Sequence, residues 1–169
     1  MLQLTKTVYV RASINRVWAT LLNFSRYAEW HPFLELSGIA AEGEHLELSF
    51  RQSSDAVRRF RSQAEVIRLE PKKMFAIRFG VRGLLLAEHS FELAPANEQT
   101  SVTHTTTYRG IVPLVTGSIS RNRLLPFVEM PARSLELHPS GARTAAHVGK
   151  GIRRQAGNRA SRAQKHRKR

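Results

Sequence analysis

Between residues 34 and 109 apolar and polar side chains largely alternate with period two, the pattern of strands buried on one face. Leu34 to Ala41 and His45 to Arg51 read as a hairpin around Glu42-Gly43-Glu44. Phe60 to Leu69 is a longer strand ending at Glu70-Pro71, and Met74 to Phe79 follows with Phe75, Ile77 and Phe79 on one face. Ala87 to Leu93 and Thr100 to Arg109 make another hairpin around Ala94 to Gln99. Upstream, Leu4 to Arg11 alternates and is rich in β-branched residues. The count is about seven strands, mostly in sequential antiparallel pairs.

The period changes to that of a helix on either side of this run. Ser13 is placed to cap a helix over Ile14 to Leu22, where Val17, Trp18, Leu21 and Leu22 share a face. A short second helix covers Phe24 to Glu29, and Pro32 then favours extended backbone at His31. After the last strand, Pro113 to Met130 reads as a helix lined by Leu114, Val115, Ile119, Leu124, Leu125, Phe127 and Val128. Pro126 should kink it or split it in two, and Pro131 should stop it. The expected class is α+β.

Alternation also assigns faces. His89, Phe91 and Leu93 point one way, and Glu88, Ser90 and Glu92 the other; Val102, His104, Thr106 and Tyr108 share a face of the last strand. If Leu93 pairs with Val102, His104 stands opposite Phe91 with His89 on the diagonal, so the two imidazoles become neighbours. Such a pair has two readings. It is either a polar pair in an apolar pocket, bonding a ligand carbonyl or serving as general acid and base, or two structural histidines satisfied by nearby hydroxyls and backbone. A metal site is disfavoured, because that face offers no third ligand and the Glu88 carboxylate points away.

Composition narrows the picture. The 169 residues, 41% of them apolar, suit one domain plus an extension. With no cysteine there is no disulfide, thiolate metal site or cysteine nucleophile. The net charge of +14 is uneven: residues 131 to 169 carry 11 Lys and Arg against Glu136 alone, a net +10. That stretch has no aromatics, few large apolar residues and many Gly and Pro, so it is expected to be largely disordered, with a short helix between Arg159 and Lys168. The expected division is a domain over 1 to 130 and a basic tail over 131 to 169, its Arg/Ala/Gly/Pro-rich composition matching an out-of-frame reading of GC-rich DNA. Charge alone would let the tail hold nucleic acid or an anionic membrane nonspecifically; otherwise it is a solvated extension.

No apolar run approaches the roughly 18 residues of a membrane span, and the N-terminus lacks a signal-peptide pattern, so a cytoplasmic location is expected. There is no P-loop, Gly-x-Ser-x-Gly, His-Glu-x-x-His or dinucleotide fingerprint, and no cofactor is expected. Asp55 is the one aspartate, which leaves little for a carboxylate dyad. Oligomeric state has no signature.

Four segments carry a family likeness. Val10-Arg11-Ala12-Ser13-Ile14-Asn15-Arg16-Val17-Trp18 is similar to a "strand, Ala-Ser/Pro, helix with Val-Trp" opening, and Phe24 to Phe33 to a "Phe/Tyr, Trp-x-Pro" segment. Leu86 to Leu93 and Thr100 to His104, closing at Gly110, are similar to a penultimate and a last strand. In this order and spacing, residues 2 to 130 resemble the START-like (SRPBCC) superfamily, specifically the polyketide cyclase/dehydrase-like group with the Bet v 1-like helix-grip fold. The resemblance implies a curved sheet gripping a long C-terminal helix with a ligand cavity between them. It implies no single chemistry.

On that basis the expected function is binding of a small hydrophobic or amphipathic molecule. The alternatives are a cyclase or dehydrase that moves protons through His89 and His104, and a nucleic-acid-associated protein acting through the tail. Trp30 and Phe33, with His31, are read as cavity rim or as closure of the core. Phe79, His89, Phe91, His104 and Tyr108 are the candidate walls. Val81 to Leu86 is an apolar loop around Gly83 that suits a flexible entrance.

Overall fold

The period-two segments pair into one antiparallel sheet in a computed structural model that describes residues 1–112 and 121–138. The strands are β1 (Leu2–Val10), β2 (Leu34–Ser37), β3 (His45–Phe50), β4 (Phe60–Glu70), β5 (Met74–Val81), β6 (Leu85–Ala96) and β7 (Gln99–Arg109). Their order is β1-β7-β6-β5-β4-β3-β2, so each strand from β2 to β7 lies beside its sequence neighbour and β1 closes onto β7. Helix α1 (Ile14–Leu22) and a 3-10 helix (Phe24–Glu29) follow β1, and α2 (Pro126–Leu137) packs on β1 and β7. Residues 113–120 of the expected helix and the tail from 139 onward lie outside the described residues, as do the tail's expected short helix and charge-driven binding; the disorder expected from 131 is not found over 131–137, which belong to α2.

The two faces of the sheet differ in chemistry. Outward, Thr5 and Thr7 meet Thr105 and Thr103 at 3.1 and 3.0 Å, and an ion-pair row crosses four strands from Glu65 through Arg78 and Glu88 to Arg109. Glu88 thus points away from the core, as alternation requires. Inward, Val8, Val10, Leu36, Leu48, Val66 and Ile77 bury against α1, the 3-10 helix and α2. Val17 and Leu21 are the buried side of α1, with Trp18 and Leu22 packed at its edge.

Several elements depart from expectation. β2 ends at Ser37 rather than Ala41, because Gly38 turns the chain at φ +128°. β6 and β7 run on to a tight turn at Asn97, φ +55°, where a six-residue loop was expected. Pro95 is tolerated there because β5 begins at Met74 opposite Glu92, leaving β6 paired only with β7 beyond that point. Ser13 occupies the N-cap position of α1, but its hydroxyl makes no capping bond; its carbonyl accepts from Arg16 and Val17 N–H.

The largest correction concerns the C-terminal helix. Pro126 divides it as expected: one helical segment ends at Leu124 and Pro126 opens the next. Pro131 does not stop it. α2 continues through Pro131 to Leu137, and Pro131 itself is buried. A mid-helix proline costs about 3 kcal/mol. Burial of Ala132 beside it and of Leu135 one turn further on, both in the main core cluster, offsets that cost.

The expected flexible entrance is apolar and exposed at Val81, Leu84 and Leu85, yet it is anchored. Ile111 N–H donates to Gly83 O at 3.0 Å and Val112 N–H to Leu84 O at 3.2 Å. This close approach demands glycine at position 110, where φ is +118° and a Cβ would run into the Leu84 carbonyl. Gly110→Ala should destabilise the domain by about 1–3 kcal/mol, read as a lower urea midpoint with unchanged slope. A wild-type midpoint would show that the hairpin end does not depend on this approach.

Candidate ligand site

β6 and β7 pair so that Leu93 faces Val102, Phe91 faces His104 and His89 faces Thr106. The imidazoles of His89 and His104 therefore lie on the diagonal, with ring centroids 5.5 Å apart. Phe91 stacks on His104 at 4.3 Å and 7°, and Phe79 lies 5.1 Å from His89. Both histidines are buried, His104 completely. Tyr108 buries in a second cluster with Leu4, Ala87 and Val128, and Phe79 bridges the two clusters from a half-buried position.

From the other side, the turn after the 3-10 helix delivers Trp30, His31 and Phe33, each 3% exposed. Trp30 sits 6.0 Å from Phe91, edge to face, and Phe33 meets Phe127 of α2 at 4.4 Å. His31 stacks on Tyr27 at 5.4 Å. Trp30 and Phe33 thus lie in the buried core. Of the predicted residues, Trp30, Phe79, His89, Phe91 and His104 form one continuous chain of ring contacts, Phe33 joins it through His31, and Tyr108 stands apart from it.

The three buried histidines differ in how their nitrogens are used. His104 Nδ1 lies 3.1 Å from the Val128 carbonyl, which can only accept, so Nδ1 carries the proton. Nε2 is then the lone-pair side, 3.5 Å from the Thr106 hydroxyl. His104 therefore matches the description of a structural histidine satisfied by its neighbours. His31 Nδ1 accepts from Phe33 N–H at 3.3 Å and Leu34 N–H at 3.0 Å, which leaves the proton on Nε2. His31 Nε2, His89 Nδ1 and Trp30 Nε1 are buried and have no partner among the described residues.

Burial holds all three imidazoles in the neutral form. It lowers the pKa of His31 and His89 well below the ordinary value, with a further push from the neighbouring imidazoles. His104 is lowered to about 4 by burial, against a smaller opposing contribution from its bond to Val128. Among the described residues no three His, Cys, Asp or Glu side chains come together to hold a metal ion.

Among the described residues, two cavities lie beside the 3-10 helix and β2, the smaller of them reaching His31 and Phe33. One of about 1040 Å³ is lined by Phe24, Ala28, Leu36, Leu48, Arg59 and Arg61, among others, and by none of the predicted contact residues. The other, about 140 Å³, is lined by His31, Phe33, Arg51 and Arg59 among others. Sequence reasoning placed His31 beside the rim but did not single it out as a polar partner of His89 and His104. It lies 58 positions before His89, and only the fold brings the two together.

A sheet of this order, with two short helices after β1 and a C-terminal helix on its inner face, is a START-like helix-grip domain. The chain belongs to the family described as polyketide cyclase / dehydrase and lipid transport, which matches residues 1–136. A START superfamily protein from Mycobacterium smegmatis has a similar structure at 18% identity and TM-score 0.64, over 79% of this chain and 94% of that one. A Chromobacterium violaceum protein matches at 15% identity and TM-score 0.63, over 81% and 96%. A protein from the dynemicin biosynthetic locus matches at 23% identity and TM-score 0.55, over 79% of this chain and 47% of that one. A search of curated proteins found no match. Among the described residues no helix is long and apolar enough to cross a membrane.

Neutral buried histidines make the fold acid-labile. Unfolded histidines take up protons below about pH 6.5 while the buried ones stay neutral, so stability is full above that value and falls as pH drops toward 4. His104 alone accounts for about 3 kcal/mol across that window. Urea midpoints measured from pH 7.5 to 4.5 should fall with an apparent uptake of two to three protons on unfolding. His104→Gln should remove about one of them. A flat profile would mean that these rings are not held neutral.

Proposed function

We propose that the domain binds a small hydrophobic or amphipathic molecule between the inner face of the sheet and the C-terminal helix. The observation that carries this reading is His89 Nδ1, a buried nitrogen with no partner among the described residues, beside Phe79 and on the face that His104 turns toward α2. An unsatisfied buried polar atom costs about 1–3 kcal/mol, a cost that a ligand atom can remove. Membership of a family described in terms of lipid transport supports it. Covering about 300 Å² of apolar ligand surface yields about 7–8 kcal/mol before association costs, so micromolar affinity is the expected ceiling without polar contacts. Titration of the full chain with a fatty-acid series and an apolar dye should give saturable binding near that value. Native mass spectrometry of freshly purified protein should show a co-purified molecule. Absence of saturable binding by the folded protein would remove this reading.

A second reading, proton transfer in a cyclase or dehydrase reaction, draws support from the neutral state of the histidines. A neutral imidazole whose Nδ1 proton is engaged keeps its Nε2 lone pair as a base, the condition of His104. His89→Gln and His104→Gln separate the two readings. Lost turnover with retained binding identifies an enzyme; unchanged turnover takes both residues out of the mechanism.

A further inference from the structure

We infer that Trp30 Nε1–H and His31 Nε2–H are a donor pair for an uncharged acceptor oxygen of the ligand, a ketone or ester carbonyl. This rests on the ligand-binding reading above and assigns its polar contact to residues other than His104. Among the described residues, the buried side-chain nitrogens and oxygens without a partner are three, and all belong to the aromatic cluster of the interior: Trp30 Nε1, His31 Nε2 and His89 Nδ1. Random burial defects would scatter; these gather on rings linked by contacts of 5.2 Å (Trp30 to His31), 6.0 Å (Trp30 to Phe91), 4.3 Å (Phe91 to His104) and 5.5 Å (His104 to His89).

Two of the three are donors by necessity. The indole nitrogen can only donate. His31 has its tautomer fixed by the two backbone N–H groups that bond Nδ1, and it stays neutral through burial, so Nε2 carries a hydrogen. A site offering two N–H groups selects an atom with two lone pairs, which is an oxygen acceptor. The charge of that oxygen follows from the surroundings. Of the two arginines that line the small cavity at His31, Arg59 is paired with Glu35 and Arg51 donates to the Ser54 carbonyl; no lysine or arginine is among the buried residues, and burying a carboxylate against neutral donors is costly. A carbonyl group meets both conditions. His89, whose tautomer no bond fixes, is free to donate to or accept from a further polar atom of the same molecule.

The test uses three shape-matched probes, 9-fluorenone, fluorene and fluorene-9-carboxylate, with the full chain and its Trp30→Phe and His31→Asn variants. Phenylalanine keeps the aromatic bulk without the N–H; asparagine keeps an acceptor for the Phe33 and Leu34 amides without the distal donor. The ketone should bind wild type about tenfold more tightly than the hydrocarbon, and the carboxylate least tightly. That preference should fall to about threefold or less in either variant, read as the ratio of fluorenone to fluorene affinity within the same variant. The infrared carbonyl band of bound fluorenone should shift to lower frequency than in hydrocarbon solvent, a readout that needs no variant. Equal binding of ketone and hydrocarbon without a band shift overturns the donor pair, since the nitrogens would then be satisfied by held water, and leaves the binder reading intact. A preference for the carboxylate overturns the uncharged-oxygen assignment. Failure of all three probes to bind overturns this inference along with the reading it rests on.

Discussion

The hydrogen bond from His104 to the Val128 carbonyl is the contact on which the interior is organised. It joins the last strand to helix α2, and it does so in a buried position. It fixes the imidazole tautomer, sets the ring flat against Phe91, and leaves the lone pair toward Thr106. Helix α2 therefore sits on the sheet by a directional bond as well as by the burial of Val128, Ala132 and Leu135. Apolar packing alone permits sliding; a buried donor that must find its acceptor does not.

That arrangement explains the unequal use of the three histidines. One is committed to architecture. One, His31, uses half its ring to hold the chain after Trp30 and presents the other half inward. One, His89, is held by packing against Phe79 and His104 rather than by hydrogen bonds. Burial keeps each imidazole neutral and makes an unpaired nitrogen costly. A structural core usually pairs such atoms, and among the described residues the three without a partner lie in this one region. Relatives at 13–23% identity share the fold, and the chemistry of the interior has to be read from this chain's own side chains.

Much of the architecture was legible from residue order. Period-two alternation between 34 and 109 gave the strands, and the same alternation predicted that His104 faces Phe91 with His89 on the diagonal, the register found in β6 and β7. It succeeded because a one-residue slip would turn every apolar side chain to the outer face, where the threonines and the Glu65-to-Arg109 ion pairs lie. Local rules failed where tertiary burial outweighed them. Pro95 continues a strand because the neighbouring strand has already ended, and Pro131 sits inside a helix because Ala132 and Leu135 beyond it reach the core.

The sequence by itself determined the α+β class, the pairing of sequential strands and which side chains turn inward, since these follow from periodicities that repeat along the chain; that β1 pairs with β7 was decided by the tertiary structure. Only the tertiary structure decided how the polar atoms inside are shared. Which nitrogen of His104 meets Val128, which of His31 meets the Phe33 and Leu34 amides, and which are left over depend on distances between residues far apart in sequence. Hydrogen bonds act over a few tenths of an ångström, and no pattern of residue types resolves that scale.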